Sequence, residues 1–223
     1  QNSQGTYGSF SIGTDGAWSY TLNNAAANVQ ALDAEDSRTE TFTVLTAGGT
    51  TQDISINIAG ASDPTLFGGV MSGNVAEDGT LVASGTLTAS DADSGDAAIV
   101  AQSTEGTYGS FSIGTDGAWT YTLNNAAANV QALDAEDTPV ETFTVLTAGG
   151  STQDISINVA GASDPTLFGG VMSGNVAEDG TLVASGTLTA SDADSGDAAI
   201  VAQSTEGTYG SFSIGTDGAW TYT

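Results

Sequence analysis

Apolar and polar residues alternate along most of this chain. Phe111 and Ile113 point to one face of a first segment, Trp119, Tyr121 and Leu123 to one face of a second, Phe143 and Val145 of a third, and Ile155, Ile157 and Val159 of a fourth. A period of two marks strands with one buried side. Between the first two segments stands Gly114-Thr115-Asp116-Gly117, and between the last two Ala148-Gly149-Gly150-Ser151. Both supply the glycine that a tight hairpin needs, so two hairpins are predicted. Upstream, Leu81, Ala83, Gly85, Leu87 and Ala89 share the face of another strand, preceded by a short segment near Val70 to Val75 and the turn Glu77-Asp78-Gly79-Thr80. The run from Ala97 to Gln102 gives one more strand. Glu141 and Asp154 lie on strands and are expected to be solvated.

Only the stretch from Asn125 to Leu133 departs from this period. Ala126, Val130 and Leu133 are spaced for one helical face and Asn125 stands where a cap would, so the pattern predicts a short helical crossover. Seven strands in about 100 residues then make an all-β unit with the size and strand number of an immunoglobulin-like sandwich. Phe111, Trp119 and Tyr121 alternate as core residues rather than as an exposed sugar-binding platform.

The unit is repeated. Residues Ala59 to Thr122 recur without change at Ala160 to Thr223, a displacement of 101 positions, and residues 1–122 differ from 102–223 at nine places, among them Ser19/Thr120, Arg38/Pro139, Thr50/Ser151 and Ile58/Val159. The expected organisation is the C-terminal half of a repeat at 1–61, a complete repeat at 62–162 and the N-terminal half of a third at 163–223. With Gln1 first and no initiator Met or leader-like segment, the chain reads as an excerpt of a longer polymer. An odd number of alternating strands sends the chain in at one end of a domain and out at the other, so tandem seven-stranded domains are predicted to stack end to end.

Charge turns that geometry into chemistry. Asp and Glu number 27 against a single Arg, with no His and a net charge of −26. Such a balance excludes a nucleic-acid surface built from Lys and Arg. No stretch is apolar enough to cross a membrane, and without cysteine there is no disulfide framework. Sorting the turns by end brings Glu77, Asp78, Glu105, Asp134, Glu136, Asp137 and Asp164 to the exit of the complete repeat. The next repeat contributes Asp192, Asp194, Asp197 and Asp217 to the same place. The preceding junction gathers Asp33, Glu35, Asp36, Asp63, Asp91, Asp93, Asp96 and Asp116 in the same way. Carboxylates crowded together must take up protons or recruit a cation. Calcium suits them, because it accepts six to eight oxygen ligands in flexible geometry. The segment from Asp91 to Asp96 alternates carboxylates beside a glycine as short calcium loops do, although it is no EF-hand, since Gln102 stands where the bidentate Glu would fall.

Gly106-Thr107-Tyr108-Gly109, Asp116-Gly117-Ala118-Trp119-Thr120-Tyr121, Glu77-Asp78-Gly79-Thr80, Ala89-Ser90-Asp91-Ala92-Asp93 and Ser163-Asp164-Pro165 together resemble the VCBS-type, bacterial cadherin-like repeats of giant RTX adhesins. The resemblance runs over the whole chain. It implies a calcium-stiffened extender arm, exported by a type I system, that holds a ligand-binding tip away from the bacterial surface. It also implies a cadherin-type junction, with Glu77, Asp134, Glu136 and Asp164 of one repeat meeting Asp192 and Asp194 of the next. The linker reads Ser-Asp-Pro where the family more often has Asn-Asp-x-x-Pro, and the glycine-rich calcium nonapeptides of RTX export signals are absent.

Near-identical copies favour a spacer over a catalyst, because adjacent identical enzymes gain little while a spacer gains length with each copy. The expected protein is an extracellular, non-enzymatic extender whose partners are neighbouring repeats of its own chain. The alternative is a self-assembling extracellular filament or surface layer in which other copies of the protein complete the half repeats.

Overall fold

A computed structural model describes residues 1–93, 95–194 and 196–223; Ser94, inside the acidic Asp91 to Asp96 segment, lies outside the described residues. The first partial copy comprises β1 (Asn2–Gln4), β2 (Gly8–Ile12), β3 (Trp18–Leu22), the helical turn α1 (Ala27–Gln30), β4 (Ser37–Leu45) and β5 (Thr51–Ala59). The complete copy comprises β6 (Leu66–Gly69), β7 (Ser72–Ala76), β8 (Val82–Ser90), β9 (Gln102–Glu105), β10 (Gly109–Ile113), β11 (Ala118–Leu123), α2 (Ala128–Gln131), β12 (Val140–Leu146) and β13 (Thr152–Ala160). The last copy comprises β14 (Leu167–Gly170), β15 (Ala184–Ser191), β16 (Gln203–Glu206), β17 (Ser211–Ile214) and β18 (Ala219–Tyr222).

In the complete copy a five-stranded sheet in the order β6-β8-β11-β10-β9 faces a three-stranded sheet in the order β12-β13-β7. All pairings are antiparallel except β7 with β13, which run parallel with Asn74 opposite Asn158. β6 and β7 are two halves of one edge segment that changes sheets at Val70 and Met71. Counted as one, they make seven segments of alternating direction, and the chain enters and leaves at opposite ends. This is an immunoglobulin-like, cadherin-like β-sandwich.

The alternating residues explain the packing. Phe111, Trp119, Tyr121, Val145, Ile155, Ile157 and Val159 are all buried between the sheets, each contributing roughly 1.5–3 kcal/mol by leaving water. Phe111 stacks on Phe143 with ring centroids 4.8 Å apart. Trp119 also settles the sheet switch: its indole N–H donates to the Val70 carbonyl at 2.8 Å, a group that the break in the edge strand would otherwise leave unpaired. Gly85 makes room for that ring, since a Cβ there would stand 2.7 Å from Trp119 Cζ2. At the hairpin between β10 and β11, Gly117 adopts φ +77° and its carbonyl accepts from Leu87 N at 2.9 Å.

Four local expectations change. The first half of the edge segment, β6, lies upstream of the stretch the pattern singled out. The strand expected over Ala97–Gln102 contributes only an isolated bridge, Ile99 to Thr147, before laddering as β9 over Gln102–Glu105; it leaves the β12 edge and joins β10, a corner that no period reveals. The helical element is one turn, capped by Ala127 backbone rather than by Asn125. Ala127, not Ala126, packs beside Val130 and Leu133, while Asn125 instead grips Asp78 through two hydrogen bonds of 3.0 and 2.7 Å, holding its positive-φ turn.

Glu141 is the fourth. It is buried rather than solvated, and its carboxylate accepts from the backbone N–H groups of Thr107 and Tyr108 and from the Tyr121 hydroxyl at 2.5 Å. Glu40 does the same for Thr6, Tyr7 and Tyr20. Asp154 is exposed on its strand and accepts from the Thr144 hydroxyl at 2.6 Å.

Candidate metal centres at the repeat junctions

The segment following α2 is drawn tight before the chain leaves the unit. Asp137 N donates to the Asp134 carbonyl at 2.8 Å, Gly161 N to the Asp137 carbonyl at 3.0 Å and Ala162 N to the Leu133 carbonyl at 3.1 Å. Gly161 is required at that crossing, because a Cβ would collide with the carbonyls of Leu133 and Asp134. Asp134 is thereby presented at the exit end. From the other side comes the loop after β15. One carboxylate oxygen each from Asp134, Asp194 and Asp197 lie within 4.8 Å of one another, and Asp33, Asp93 and Asp96 form the same group at the preceding junction.

Asp192 organises the incoming loop. Its Oδ2 accepts from the Thr166 hydroxyl and its Oδ1 from Asp194 N at 3.0 Å. These bonds, the hydroxyl first, hold its pKa below the ordinary carboxylate range against partial desolvation. Asp194 in turn accepts from Asp164 N at 2.6 Å through Oδ2. Its Oδ1 is buried with no hydrogen-bond partner among the described residues, as is Oδ1 of Asp93 at the other junction, and both residues are 3% exposed. An unpartnered buried carboxylate oxygen on a member of each acidic group is the chemistry a divalent cation satisfies.

The surrounding acids carry the strain of this crowding. Desolvation first, then the charges of Asp197, Asp194, Asp137 and Glu136, raise the pKa of Asp134. Asp164 is raised by desolvation and by Asp194, Asp78 and Asp192. Buried Glu77 accepts from Gln131 Nε2 at 2.8 Å and from Ala162 N at 3.2 Å. Its pKa is raised by desolvation, which the Ala162 N–H partly opposes, and then by Asp164, Asp78 and Asp194. At the first junction Asp96 is raised by desolvation and by Asp33, Asp93 and Asp91, and Asp91 is lowered by the Thr65 hydroxyl.

The other candidates are placed as follows. Asp63 donates its N–H to Asp93 at 2.6 Å. Asp116 and Asp217 each accept from the backbone two residues on, Ala118 and Ala219, at 3.0 Å; this is turn chemistry, and neither joins a group. Glu105, Glu35 and Glu136 are exposed, with only Glu136 contributing charge to Asp134. Asp137 accepts from Asp134 N at 3.2 Å, whereas its counterpart Asp36 pairs with Arg38 at 3.2 Å. The residues that pattern reading passed over are Thr65, Thr166 and Gln131, which orient carboxylates without being charged. Their one visible signal is that each threonine directly follows the linker proline.

Set beside known proteins, the whole chain superposes on the EC1-4 fragment of PcdhgB3 (16% identity, 99% of this chain and 56% of that one, TM-score 0.44). It superposes on the protocadherin gammaB4 extracellular domain with 14% identity, 100% and 37% coverage and a TM-score of 0.44. For a Ca2+-stabilized adhesin that helps an Antarctic bacterium reach out and bind ice, the values are 14%, 96%, 53% and 0.23. The chain thus spans about a third to just over half the length of each. No curated protein sequence matches it. Residues 62–161, the sandwich whose two ends carry these junctions, match the bacterial cadherin-like domain.

Proposed function

We propose that this chain is a length of stiff extender from a bacterial cell-surface adhesin, of the VCBS-type repeats in RTX adhesins, whose successive domains are locked by calcium. The observation that carries the reading is the unpartnered, buried Oδ1 of Asp194 beside Asp134 of the preceding repeat, duplicated at Asp93 beside Asp33. With Arg38 the only basic side chain, nothing in the protein itself can neutralise the second junction, and an uncompensated buried charge is strongly destabilising. Asp134, Asp194 and Asp197 would hold the ion, and calcium would supply the positive charge that ties one repeat to the next. Asp192 and Thr166 keep Asp194 turned inward, and the short link from Ala162 to Pro165 leaves little slack. The match to the bacterial cadherin-like domain supports the same reading.

Thermal unfolding with and without chelator tests it. Calcium is expected to raise the melting temperature of the wild-type protein, and D194N to lose most of that gain while keeping the chelated melting temperature or raising it. A melting temperature indifferent to calcium, or an unaltered response in D194N, would contradict the proposal.

A further inference from the structure

The tip of the β12–β13 hairpin reaches the acidic loop that faces the preceding repeat. Val100 N donates to the Leu146 carbonyl at 3.0 Å, Ala148 N to the Ala98 carbonyl at 2.8 Å and Gly149 N to the Asp96 carbonyl at 3.1 Å. Together with the bridge between Ile99 and Thr147, these bonds zip the segment from Asp96 to Val100 onto the end of the hairpin. The contact is closest at Asp96 itself. A Cβ on Gly149 would stand 2.7 Å from Cβ, Cγ and Oδ2 of that residue. Turning the carboxylate does not relieve such an approach, because the Asp96 Cβ is as near as its oxygen. The backbone of Asp96 would have to move, and the bond from Gly149 N ties that backbone down.

The turn itself does not ask for glycine at this place. Gly150 has φ +84°, in the left-handed region that favours glycine, whereas Gly149 is outside that region. The β4–β5 hairpin carries the same turn, Thr46-Ala47-Gly48-Gly49, and there a Cβ on Gly48 would meet only Thr46 Oγ1, at 4.0 Å. What excludes a side chain at 149 is the carboxylate behind it. That carboxylate belongs, with those of Asp33 and Asp93, to the group at the first junction.

We propose that Gly149 is a positioning residue of the first junction: the hairpin tip backs Asp96 and keeps its carboxylate among those of Asp33 and Asp93, where the three would share a cation. This rests on the cation reading above and extends it into the sandwich. The backing hairpin is β12–β13, whose inner side chains Phe143, Val145, Ile155 and Ile157 are core. An ion seated on Asp96 therefore restrains the hairpin tip, and the tip restrains the ligand. Contacts that orient a metal ligand from behind are typically worth roughly 10–100-fold in affinity.

Calcium titration calorimetry on the 223-residue protein tests the proposal in two backgrounds. D194N removes a ligand of the second junction, so that the first is read alone, and D93N does the reverse. G149A is expected to weaken binding roughly 10–100-fold in the D194N background and to leave it unchanged in the D93N background. G48A, the same substitution with no carboxylate behind it, should change neither. Hydrogen exchange on the wild type needs no substitution: calcium should slow the amides of Ala148 and Gly149 and leave those of Ala47 and Gly48 as they are. Unchanged affinity for G149A with D194N, an equal loss in both backgrounds, or no slowing at Ala148 and Gly149 would overturn the proposal while the cation reading stood. A wild type that binds no calcium would overturn both.

Discussion

Removing the Tyr121 hydroxyl tests whether buried carboxylates hold the sandwich together as the geometry implies. Tyr121 is fully buried and donates at 2.5 Å to Glu141, which also receives Thr107 N and Tyr108 N. Y121F deletes one charge-assisted hydrogen bond and leaves Glu141 Oε2 short of a donor, a loss of about 1.5–3 kcal/mol. For a unit of about 100 residues, roughly 4–8 °C per kcal/mol converts this to a fall of about 6–24 °C in the melting temperature. Calorimetry of the 223-residue protein in saturating calcium reads it, since the junctions are then matched in both proteins. The pH dependence supplies a second readout. Burial first, then the Glu141 bond and charge, raise the Tyr121 pKa. The folded state therefore binds the phenolic proton more tightly than the unfolded state. Its contribution is fully present below the unfolded phenol pKa of about 10 and is lost as pH rises beyond it. Y121F should lose less stability in that alkaline range than the wild type, with Tyr20, raised for the same reasons, accounting for the remainder. A melting temperature within about 1 °C of wild type would refute the reasoning, because the loss of a buried hydrogen bond to a charged group predicts a far larger fall.

Two further outcomes follow from the structure. Asp134, Asp164 and Glu77 have raised folded pKa values, so in chelator their contribution to stability is present below the unfolded carboxylate range and is lost as pH rises through the folded values; melting temperature should climb as the chelated protein is acidified from neutral pH toward the unfolded carboxylate range, while the calcium-loaded protein loses stability over the same interval as protons compete with the ion. G85A would press a methyl against Trp119 and Val70, each 2.7 Å from the new Cβ, and should destabilise the complete repeat by about 1–3 kcal/mol in calorimetry.

The apolar alternation made the strands legible because each one buries a single face. The count of seven and the acidic loops then located the junctions, and the structure brings Asp134, Asp194 and Asp197 of adjacent copies together there. What stayed hidden depended on contacts distant in sequence. Glu141 is in phase with Phe143 and Val145, so its position pointed inward while its charge suggested solvation, and the donors that make burial tolerable lie 20 to 34 residues away in the chain. The strand at Gln102–Glu105 changes neighbours at a corner, and periodicity does not say which edge a strand joins. Asn125 has the composition of a cap, yet a turn 47 residues upstream claims its side chain. Ser72–Ala76 and Ser173–Ala177 make the point most sharply, because one sequence is a strand only where β13 lies beside it.

If cations at the junctions turn a string of sandwiches into a rod, small-angle scattering on chains of two, four and eight repeats reads it most directly. Each domain is roughly 40 Å long, from strands of eight to ten residues at about 3.3 Å per residue plus their loops. In calcium the maximum dimension should grow linearly with repeat number by about that increment, and in chelator it should fall below the line as the joints bend. Scaling that is compact or random-coil-like in calcium, or identical with and without the ion, would contradict the account.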